Sequence, residues 1–539
     1  MSRRRPRIVL PDRRVDARFP FARGGVSRRD VLRGLGALGL GAGLFPGFGG
    51  GLAGCTLANP IFPEGVACGD PAPDGAVIWT RAFPPARERN TVLWVVAEDE
   101  ALQQIVTGGV AGTDASRAHA VHVPVTGLAP DRWYHYGFFA GDVASPVGRL
   151  RTAPAPGSQP DRLRYAFASC QQRTASYYVA HRALANEDID FLMHLGDYIY
   201  VSDSGDITLA DYRARWAIFK SHPLLQQLHA KVPVVPVWDD GEFYNGVDAT
   251  GDPARLAAAR RAWFENMPVL QPADDHIYRR FPWGRLADVE MIDTRSYRDP
   301  EVPPNRIAFL AGLDFQDTTI PGCEAMFEEG RTTLGDAQRA WLLGEIGGSE
   351  AAWQIVGNSY NMTPWRLGDL DNDPDRSDPQ PHRNAGIYVS NEAWDDYAAE
   401  RRVVLSALEA MGRTDTLFSS GHTHFYLASE LQPDYDDPAS PTAAFDLVTG
   451  SLTADPDPRE IASEQQLRFI EGVFLEQNQP YMKDIDMLEQ GYAIVEVTPE
   501  EIVCDFRGID TFDENAEPYT FARFRIVRGS RTLEELPLV

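Results

Sequence analysis

Residues 191–200 read Phe191-Leu192-Met193-His194-Leu195-Gly196-Asp197-Tyr198-Ile199-Tyr200, and this pattern indicates the type of fold. Its first part is a largely apolar run of strand length, which is typical of a β-strand covered on both faces. A glycine and an aspartate follow at once. An aspartate placed directly after a strand and a tight glycine can present both carboxylate oxygens, which would let it bridge two metal ions. The stretch therefore predicts a buried strand with a metal ligand, Asp197, at its carboxyl end.

Five further segments beyond Asp161 repeat this arrangement of an apolar run that ends in polar residues. Stretches long enough for helices separate the runs, which favours an α/β fold. Ligands of open α/β sheets bind at the carboxyl ends of the strands, so we expect all six strand ends to converge on one crevice. The polar residues after the other five runs are Ser169-Cys170-Gln171, Asp239-Asp240, Asp293-Thr294-Arg295, Gly357-Asn358 and Gly421-His422-Thr423-His424.

Residues 61–151 show a different pattern, with short strands broken by turns. The alternation in Trp133-Tyr134-His135-Tyr136-Gly137-Phe138 suits a strand with one face buried and one exposed, and a tyrosine shortly after a Gly-Leu-x-Pro turn is typical of β-sandwiches. The Pro-rich stretch Thr152–Pro160 marks a domain boundary. We therefore predict a small β-sandwich over residues 60–152 and an α/β catalytic domain over residues 161–530.

Two His separated by one residue just past a strand end can each reach a different metal of a pair. With the Asp197 stretch, Gly421-His422-Thr423-His424 resembles the binuclear metallophosphoesterase superfamily. Within it, the sequence from about residue 60 to about residue 455 resembles the alkaline phosphatase D (PhoD) family. The blocks that carry this resemblance are Phe62–Pro71, Ile78–Arg81, Phe167–Gln171, His194–Tyr200, Val237–Asp240, Met291–Asp299, Gln338–Leu343 and Trp394–Arg401.

The resemblance implies a fold, a metal content and a set of site residues. The fold would be a metallophosphoesterase-type α/β/β/α sandwich preceded by a small fibronectin-like β-sandwich domain. The family binds Fe³⁺ and Ca²⁺. Carried over by position, the Fe³⁺ ligands would be Cys170, Asp197, Tyr200 and His424, and the second, divalent site would take Asp197, Asp240, His422 and Asn358.

The expected reaction is hydrolysis of a phosphate ester by attack of a metal-bound hydroxide, with Asp197, Asp240, His422 and Arg295 as catalytic residues. The planar guanidinium of Arg295 could grip the phosphate; an ion pair with an acid such as Asp299 is the alternative.

Two departures from the family pattern affect the second metal site. Trp238-Asp239-Asp240-Gly241-Glu242 stands where the family usually has Trp-Asp-Asp-His-Glu, so the histidine expected to assist the leaving group is missing. Gly421-His422-Thr423-His424 stands where the family usually has Gly-Asp-x-His. Because imidazole suits transition metals better than calcium, Zn²⁺, Mn²⁺ or Fe²⁺ could take the place of Ca²⁺. We expect a preference for good leaving groups, which Gly241→His would relax.

The N-terminus predicts export. Ser27-Arg28-Arg29-Asp30-Val31-Leu32-Arg33 before a Gly- and Leu-rich stretch is similar to a twin-arginine signal peptide over residues 1–54, so the twin-arginine translocase is an expected partner. Leu52-Ala53-Gly54-Cys55 resembles a lipoprotein cleavage box; the alternative is plain cleavage that releases a periplasmic or secreted protein. Any membrane attachment would be through lipid on Cys55, because no later run reaches the ~20 apolar residues of a spanning helix.

Charge narrows the class of substrate. Residues 1–54 hold eleven Arg and three acids, so the formal net charge of −26 for the whole chain becomes about −34 for the remainder. A polyanion would be repelled, which argues against nucleic-acid binding and for a small phosphate ester held by local positive charge. Asp369–Asp375 is acidic but lacks the Gly and Glu of an EF-hand loop, so we interpret it as an acidic loop near the site. Cys68, Cys170, Cys323 and Cys504 show no paired metal spacing.

The sequence thus predicts an exported, binuclear phosphomonoesterase, with diesters as a second substrate class. A phosphodiesterase or phospholipase D-like enzyme on the same site is one alternative. A catalytically decayed envelope protein that binds phosphate or a partner is the other, and Gly241 is its best support.

Overall fold

The structure is a computed structural model of the chain. It describes residues 59–85, 90–173, 176–201, 208–302, 315–317, 323–367, 387–389, 393–437, 439–454 and 462–538. The predicted signal peptide, Cys55 and the acidic stretch Asp369–Asp375 lie outside these residues. None of the described helices is both long enough and apolar enough to cross a membrane. Cys68, Cys170 and Cys504 are free and buried.

The strands, in chain order, are β1 (Val66–Ala72), β2 (Gly75–Arg81), β3 (Thr91–Ala97), β4 (Ile105–Gly112), β5 (Ala120–Val125), β6 (Trp133–Ala140), β7 (Val143–Ala144), β8 (Gly148–Arg151), β9 (Leu163–Ala168), β10 (Phe191–His194), β11 (Val234–Pro236), β12 (Arg279–Trp283), β13 (Ala287–Met291), β14 (Phe315–Asp317), β15 (Trp353–Tyr360), β16 (Arg366–Leu367), β17 (Ile387–Val389), β18 (Thr416–Gly421), β19 (Tyr426–Leu431), β20 (Ala444–Val448), β21 (Met482–Asp486), β22 (Gly491–Val497), β23 (Glu501–Gly508), β24 (Tyr519–Val527) and β25 (Leu533–Glu535). The α-helices are α1 (Val179–Leu184), α2 (Leu209–Lys220), α3 (Pro223–Lys231), α4 (Pro253–Asn266), α5 (Gly335–Gly348), α6 (Ala398–Met411) and α7 (Glu464–Gln477).

Two large sheets form the centre of the molecule. The first has the strand order β25-β24-β23-β22-β9-β10-β11-β1-β2-β5, and the second has the order β12-β13-β15-β18-β20-β19-β21. All six strands predicted from the sequence are present, as two parallel triplets: β9-β10-β11 in the first sheet and β13-β15-β18 in the second. Parallel strands present their carboxyl ends at one edge, so each sheet contributes three polar strand ends.

Apolar side chains fill the space between the two sheets. In β10, Phe191 and Met193 belong to this inter-sheet core, together with Val289 of β13 and Ile355 of β15. Leu192 points to the other face of its sheet and belongs to a cluster with residues of α1 and α3. This explains why the run has no polar alternation, because both of its faces are covered.

Helices cover the outer faces of both sheets. On the second sheet, Val356 and Phe418 pack with residues of α5 and α6, among them Leu342 and Leu405. Several helices begin at a side-chain cap, such as the capping box of Thr208 and Asp211 before α2. The layers therefore run helix, sheet, sheet, helix, and the predicted α/β/β/α sandwich with a β-rich N-terminal part is confirmed.

The N-terminal region forms a sandwich from two sheets. The strands β4-β3-β6-β7, with β8 beside β6, make one sheet, while β1, β2 and β5 belong to the first large sheet. A core that includes Ile78, Val96 and Phe138 lies between them. The hydroxyl of Tyr134 accepts the backbone N–H of Ala129 at 3.1 Å, as expected for a tyrosine at a β-sandwich corner.

The sandwich and the catalytic domain share a sheet as well as a chain. Strand β1 pairs in parallel with β11, with Gly69 opposite Val234. The indole N–H of Trp79 donates to the carbonyl of Glu265 at 3.1 Å, and Arg279 pairs with Asp70 at 2.9 Å. The N-terminal strands therefore extend the sheet whose strand ends carry part of the site.

Candidate metal centre

The strand ends of both sheets meet at one place. The first sheet delivers Cys170 after β9, Asp197 after β10 and Asp239-Asp240 after β11. The second sheet delivers Arg295 after β13 and His422 and His424 after β18. Apart from Arg295, these side chains form two groups of candidate metal ligands, and within each group the ligand atoms lie within 4.8 Å of one another. Five of the six predicted strand ends, those of β9, β10, β11, β13 and β18, therefore contribute residues to this place.

Four of the candidate ligands have an unusual backbone conformation. The φ angles of Cys170, Asp197, His422 and His424 are 61°, 54°, 74° and 60°, all in the left-handed region. Non-glycine residues adopt this region rarely, and such backbone strain clusters at functional sites because the surrounding structure must hold it in place. The sharp turns let the chain leave each strand and direct the side chain back across the sheet edge.

The first cluster contains Cys170, Asp197 and His424. The thiol of Cys170 lies 3.4 Å from Asp197 Oδ2. The hydroxyl of Tyr200 joins the group, because it lies 3.1 Å from Asp197 Oδ2 and 3.0 Å from His424 Nε2. The structure thus brings together all four residues that the resemblance assigned to Fe³⁺.

The donor set of this cluster fits a strongly charged cation. Burial raises the pKa of the Cys170 thiol to about 12, although the nearby His424 lowers it. A thiolate at neutral pH would therefore need a cation beside it, and thiolate, phenolate and carboxylate together supply several negative charges. One imidazole completes the set. The four side chains therefore suit a cation of high charge, such as the Fe³⁺ that the resemblance implies.

The second cluster contains Asp197, Asp239, Asp240 and His422. Burial and the neighbouring charges of Asp239, Asp240 and Glu242 raise the pKa of Asp197 well above its usual value. Three buried carboxylates at such short range repel one another, so a cation would stabilise them. Asp197 belongs to both clusters, as its position after Gly196 predicted. The set of three carboxylates and one imidazole fits a divalent metal ion.

Asp239 is the residue of this cluster that our prediction of ligands missed. Its Oδ2 lies 2.7 Å from His422 Nδ1, and this contact raises the pKa of His422 although burial opposes it. The same carboxylate is ion-paired with Arg295. Holding one imidazole nitrogen fixes the ring orientation and leaves the other nitrogen for a metal. The adjacent acids Asp239-Asp240 were the available signal, but their sequence does not say which one faces the histidine.

Arg295 lies beside the second cluster, with its Nη2 3.3 Å from His422 Nδ1 and 3.9 Å from Asp240 Oδ1. It is 1% exposed, and its guanidinium is bound to Asp239 and lies 4.8 Å from the centre of the Tyr360 ring. A phosphate grip by Arg295 stays a prediction, and it would require a guanidinium that already binds Asp239 to reach the phosphate as well. Arg295 does form an ion pair with an aspartate, as the alternative expected, but the partner is Asp239. Asp299 instead accepts the backbone N–H of Thr332.

Asn358 is held by protein groups. Its side-chain N–H₂ donates to Ser420 Oγ at 3.1 Å and to the carbonyl of Tyr360, and its side-chain oxygen accepts the indole N–H of Trp394 at 3.3 Å. To bind a metal ion, this oxygen would have to lose its hydrogen bond with the indole N–H of Trp394. The structure thus binds Asn358 to Ser420, Tyr360 and Trp394, and its role as a metal ligand stays a prediction.

Little space is left for a side chain at Gly241. Its backbone N–H donates to Asp197 Oδ1 at 2.9 Å, and a Cβ atom added to Gly241 would lie 2.6 Å from that same oxygen and 2.6 Å from the carbonyl of Ile199. A histidine can be added here only if one of these two oxygens moves. The expectation that Gly241→His would relax the preference for good leaving groups stays a prediction, and this backbone geometry speaks against it.

Comparison with known proteins agrees with this site. The family profile described as PhoD-like phosphatase matches residues 165–506, and that of the PhoD-like phosphatase N-terminal domain matches residues 53–154. Alkaline phosphatase D of Bacillus subtilis (strain 168) is 31% identical over 483 residues, which are 83% of this chain and 77% of the relative.

Solved structures show the same relationship. A structure of PhoD superposes with a TM-score of 0.76 at 30% identity, covering 90% of this chain and 94% of the other. The purple acid phosphatase PPD1 from yellow lupin (Lupinus luteus) seeds has a TM-score of 0.54 at 12% identity, covering 86% of this chain and 74% of the other, which shows a shared fold. With these matches and the candidate metal ligands at its strand ends, the chain belongs to the PhoD-like phosphatase family and is a phosphoric ester hydrolase.

Proposed function

We propose that the protein hydrolyses phosphomonoesters at a centre of two metal ions, one of them ferric and the other divalent. The observation that carries this proposal is the position of Asp197, which belongs to both ligand clusters. Cys170, Tyr200 and His424 would complete the ferric site, and Asp240 and His422 the divalent site, with Asp239 as ligand or as the partner of His422. Two cations held in this way supply a water molecule activated for attack and neutralise the phosphate oxygens.

The chain's own side chains prepare this centre before a substrate arrives. Arg295 holds Asp239, and Asp239 holds His422, so a buried chain of charges fixes the orientation of one ligand. Tyr200 and Cys170 both contact Asp197 Oδ2, while Gly241 donates its N–H to the other oxygen. Fixed ligands of this kind need no reorganisation during the reaction, which is the main source of electrostatic catalysis.

The absence of a histidine at Gly241 supports a preference for substrates with good leaving groups. No imidazole at that position can protonate a departing alkoxide, because Gly241 has no side chain and a Cβ there would lie 2.6 Å from both Asp197 Oδ1 and the carbonyl oxygen of Ile199. Aryl phosphates, whose leaving groups are weak bases, depend least on such an acid. We therefore favour phosphomonoesters with acidic leaving groups.

A kinetic comparison of purified protein tests this proposal. The chain should contain iron and should cleave an aryl phosphate monoester faster than alkyl phosphates, phosphodiesters or phospholipids. Faster cleavage of diesters or phospholipids would assign it to the diesterase class. A metal-replete protein that cleaves none of them would support the catalytically decayed alternative, and both results would overturn the proposal.

Export is the second part of the proposal. The paired arginines Arg28 and Arg29 support passage through the twin-arginine translocase to the cell envelope, and Cys55 is the candidate lipid attachment site. Replacing both arginines by lysine should retain the full-length precursor inside the cell. Fractionation of wild type and Cys55→Ser distinguishes lipid anchoring from release.

A further inference from the structure

Glu242 is a buried carboxylate that accepts backbone N–H groups of residues in the metal centre. It is 1% exposed, so its charge is shielded from water. Burial raises the pKa of Glu242, while hydrogen bonds from the backbone lower it. Burying a carboxylate beside other carboxylates is costly, so the contacts of this group must provide a compensating benefit.

Three backbone N–H groups converge on this carboxylate. Oε1 accepts the N–H of Tyr198 at 2.7 Å, and Oε2 accepts the N–H of Asp197 at 3.1 Å and that of Asp239 at 2.9 Å. The first two donors belong to the turn after β10 and the third to the turn after β11. One side chain therefore joins the two turns of the first sheet that carry the acidic candidate ligands.

The turn that carries Asp197 needs such support. Gly196 has a φ of 101° and Asp197 one of 54°, so two consecutive residues are in the left-handed region. A strained turn persists only when its surroundings over-determine it. The carbonyl of Asp197 accepts the N–H of Gln171 at 3.0 Å, which holds the turn from the β9 side. Glu242 holds it from the β11 side.

We infer that Glu242 is a positioning residue, which sets the spacing between Asp197 and the Asp239-Asp240 pair and thereby the affinity of the centre for its metals. It has no place in the ligand clusters themselves. It acts through the backbone of residues that do. This inference rests on the metal centre of the proposed function, but its test reads metal binding and does not depend on which ester is cleaved.

Two variants of Glu242 separate geometry from charge. Glu242→Gln keeps the shape of the side chain, but its N–H₂ group faces at least one of the three backbone donors. Glu242→Asp keeps the negative charge but is one methylene too short to reach all three. If the spacing of the turns is what matters, both variants lose affinity. If only the negative charge of Glu242 attracts the cations, the Asp variant binds like wild type.

Glu400→Gln is a matched control. Glu400 is 2% exposed, and its carboxylate accepts the backbone N–H groups of Thr333 and Leu334, at 2.6 Å and 3.2 Å. None of these three residues belongs to a ligand cluster. Its substitution therefore measures the effect of disturbing a buried carboxylate clamp away from the metals.

The experiment measures the iron and divalent-metal content of the full-length mature protein. Competition with chelators gives the dissociation constants of the metals. Unfolding of the metal-free forms gives the stability of each variant. We expect both Glu242 variants to bind metal about 10- to 100-fold more weakly, as is usual when a group that orients metal ligands is removed. Glu400→Gln should bind metal like wild type.

Each other outcome overturns the inference. If Glu242→Asp alone bound metal with wild-type affinity, only the negative charge of Glu242 would matter. If both variants did, Glu242 would have no role in metal binding. Equal losses in all three variants, in parallel with lower stability of the metal-free protein, would make Glu242 an ordinary structural residue. If wild type itself bound no metal at these residues, the proposed function would fail first.

Discussion

Gly241→Ala places a methyl group against the side chain shared by the two ligand clusters. The added Cβ would lie 2.6 Å from Asp197 Oδ1 and 2.6 Å from the carbonyl of Ile199, and contacts below 3.0 Å force one partner to shift. The carboxylate cannot retreat freely, because its Oδ1 also accepts the N–H of Gly241 at 2.9 Å. The strain therefore falls on Asp197 and on the backbone of Ile199 in the same turn, and we expect the variant to bind metal more weakly.

The size of the effect follows from the overlap. Overpacking by one methyl group in a close-packed site costs about 1–3 kcal/mol. If this strain is present only when Asp197 is held by metal, the metal affinity falls by about 5- to 160-fold. In the metal-free protein the carboxylate has more freedom to move, so the free energy of unfolding should change less than the free energy of metal binding.

Chelator competition on purified wild type and Gly241→Ala measures this ratio directly. Gly344→Ala is the control, because a Cβ at that helical glycine meets no atom within 4 Å and alanine favours the helix. If Gly241→Ala bound metal and hydrolysed aryl phosphate like wild type, the methyl group would be accommodated without strain on the metal centre. We also expect Gly241→His to lower the hydrolysis of aryl and alkyl phosphates alike, where a restored leaving-group acid would raise alkyl phosphate hydrolysis.

Three further substitutions test other parts of the account. Burial lowers the pKa of Lys220 to about 7, and its ammonium lies 4.0 Å from the centre of the Trp79 ring. Between this pKa and that of a free lysine, the folded chain has released a proton that the unfolded chain keeps. Wild-type stability relative to Lys220→Met should therefore rise by about 1.4 kcal/mol per pH unit from pH 7 to about pH 10, and a constant difference in denaturant titrations would contradict this. Arg295→Met should destabilise the metal-free protein by about 3–5 kcal/mol, because it leaves Asp239 buried without its counter-ion; a raised KM with unchanged stability would instead place Arg295 on the phosphate. Tyr200→Phe removes the oxygen that contacts Asp197 and His424, so iron content and visible absorbance should fall, and an unchanged spectrum would exclude Tyr200 as a ligand.

Much of the fold and half of the site could be predicted because they depend on local sequence. A run such as Phe191–Leu195 identifies a strand covered on both faces, and an Asp or His directly after it is placed at the sheet edge whatever the order of the strands. Cys170, Asp197 and His424 follow strands within three residues, Tyr200 lies six residues beyond β10, and the structure brings all four together. The resemblance then added which of these residues share a metal.

The errors concern contacts across the sheets. Whether Asp239 or Asp240 faces His422 depends on how residues 183 positions apart approach each other, and strand patterns carry no such information. The partner of Arg295 is 56 positions away, so its near neighbours in the sequence do not reveal it. At Gly241 the sequence indicates only that the family's histidine is missing, whereas the close approach of Asp197 and Ile199 appears only in three dimensions.

Metal analysis of wild type beside Asp197→Ala and Cys170→Ala tests whether Asp197 joins two metal sites. If Asp197 joins two metal sites, wild type should contain two metal ions per chain, Asp197→Ala should lose both, and Cys170→Ala should lose iron first while the divalent site retains measurable affinity. Retention of both metals by Asp197→Ala would contradict the account, because the side chain on which both clusters depend would then be dispensable.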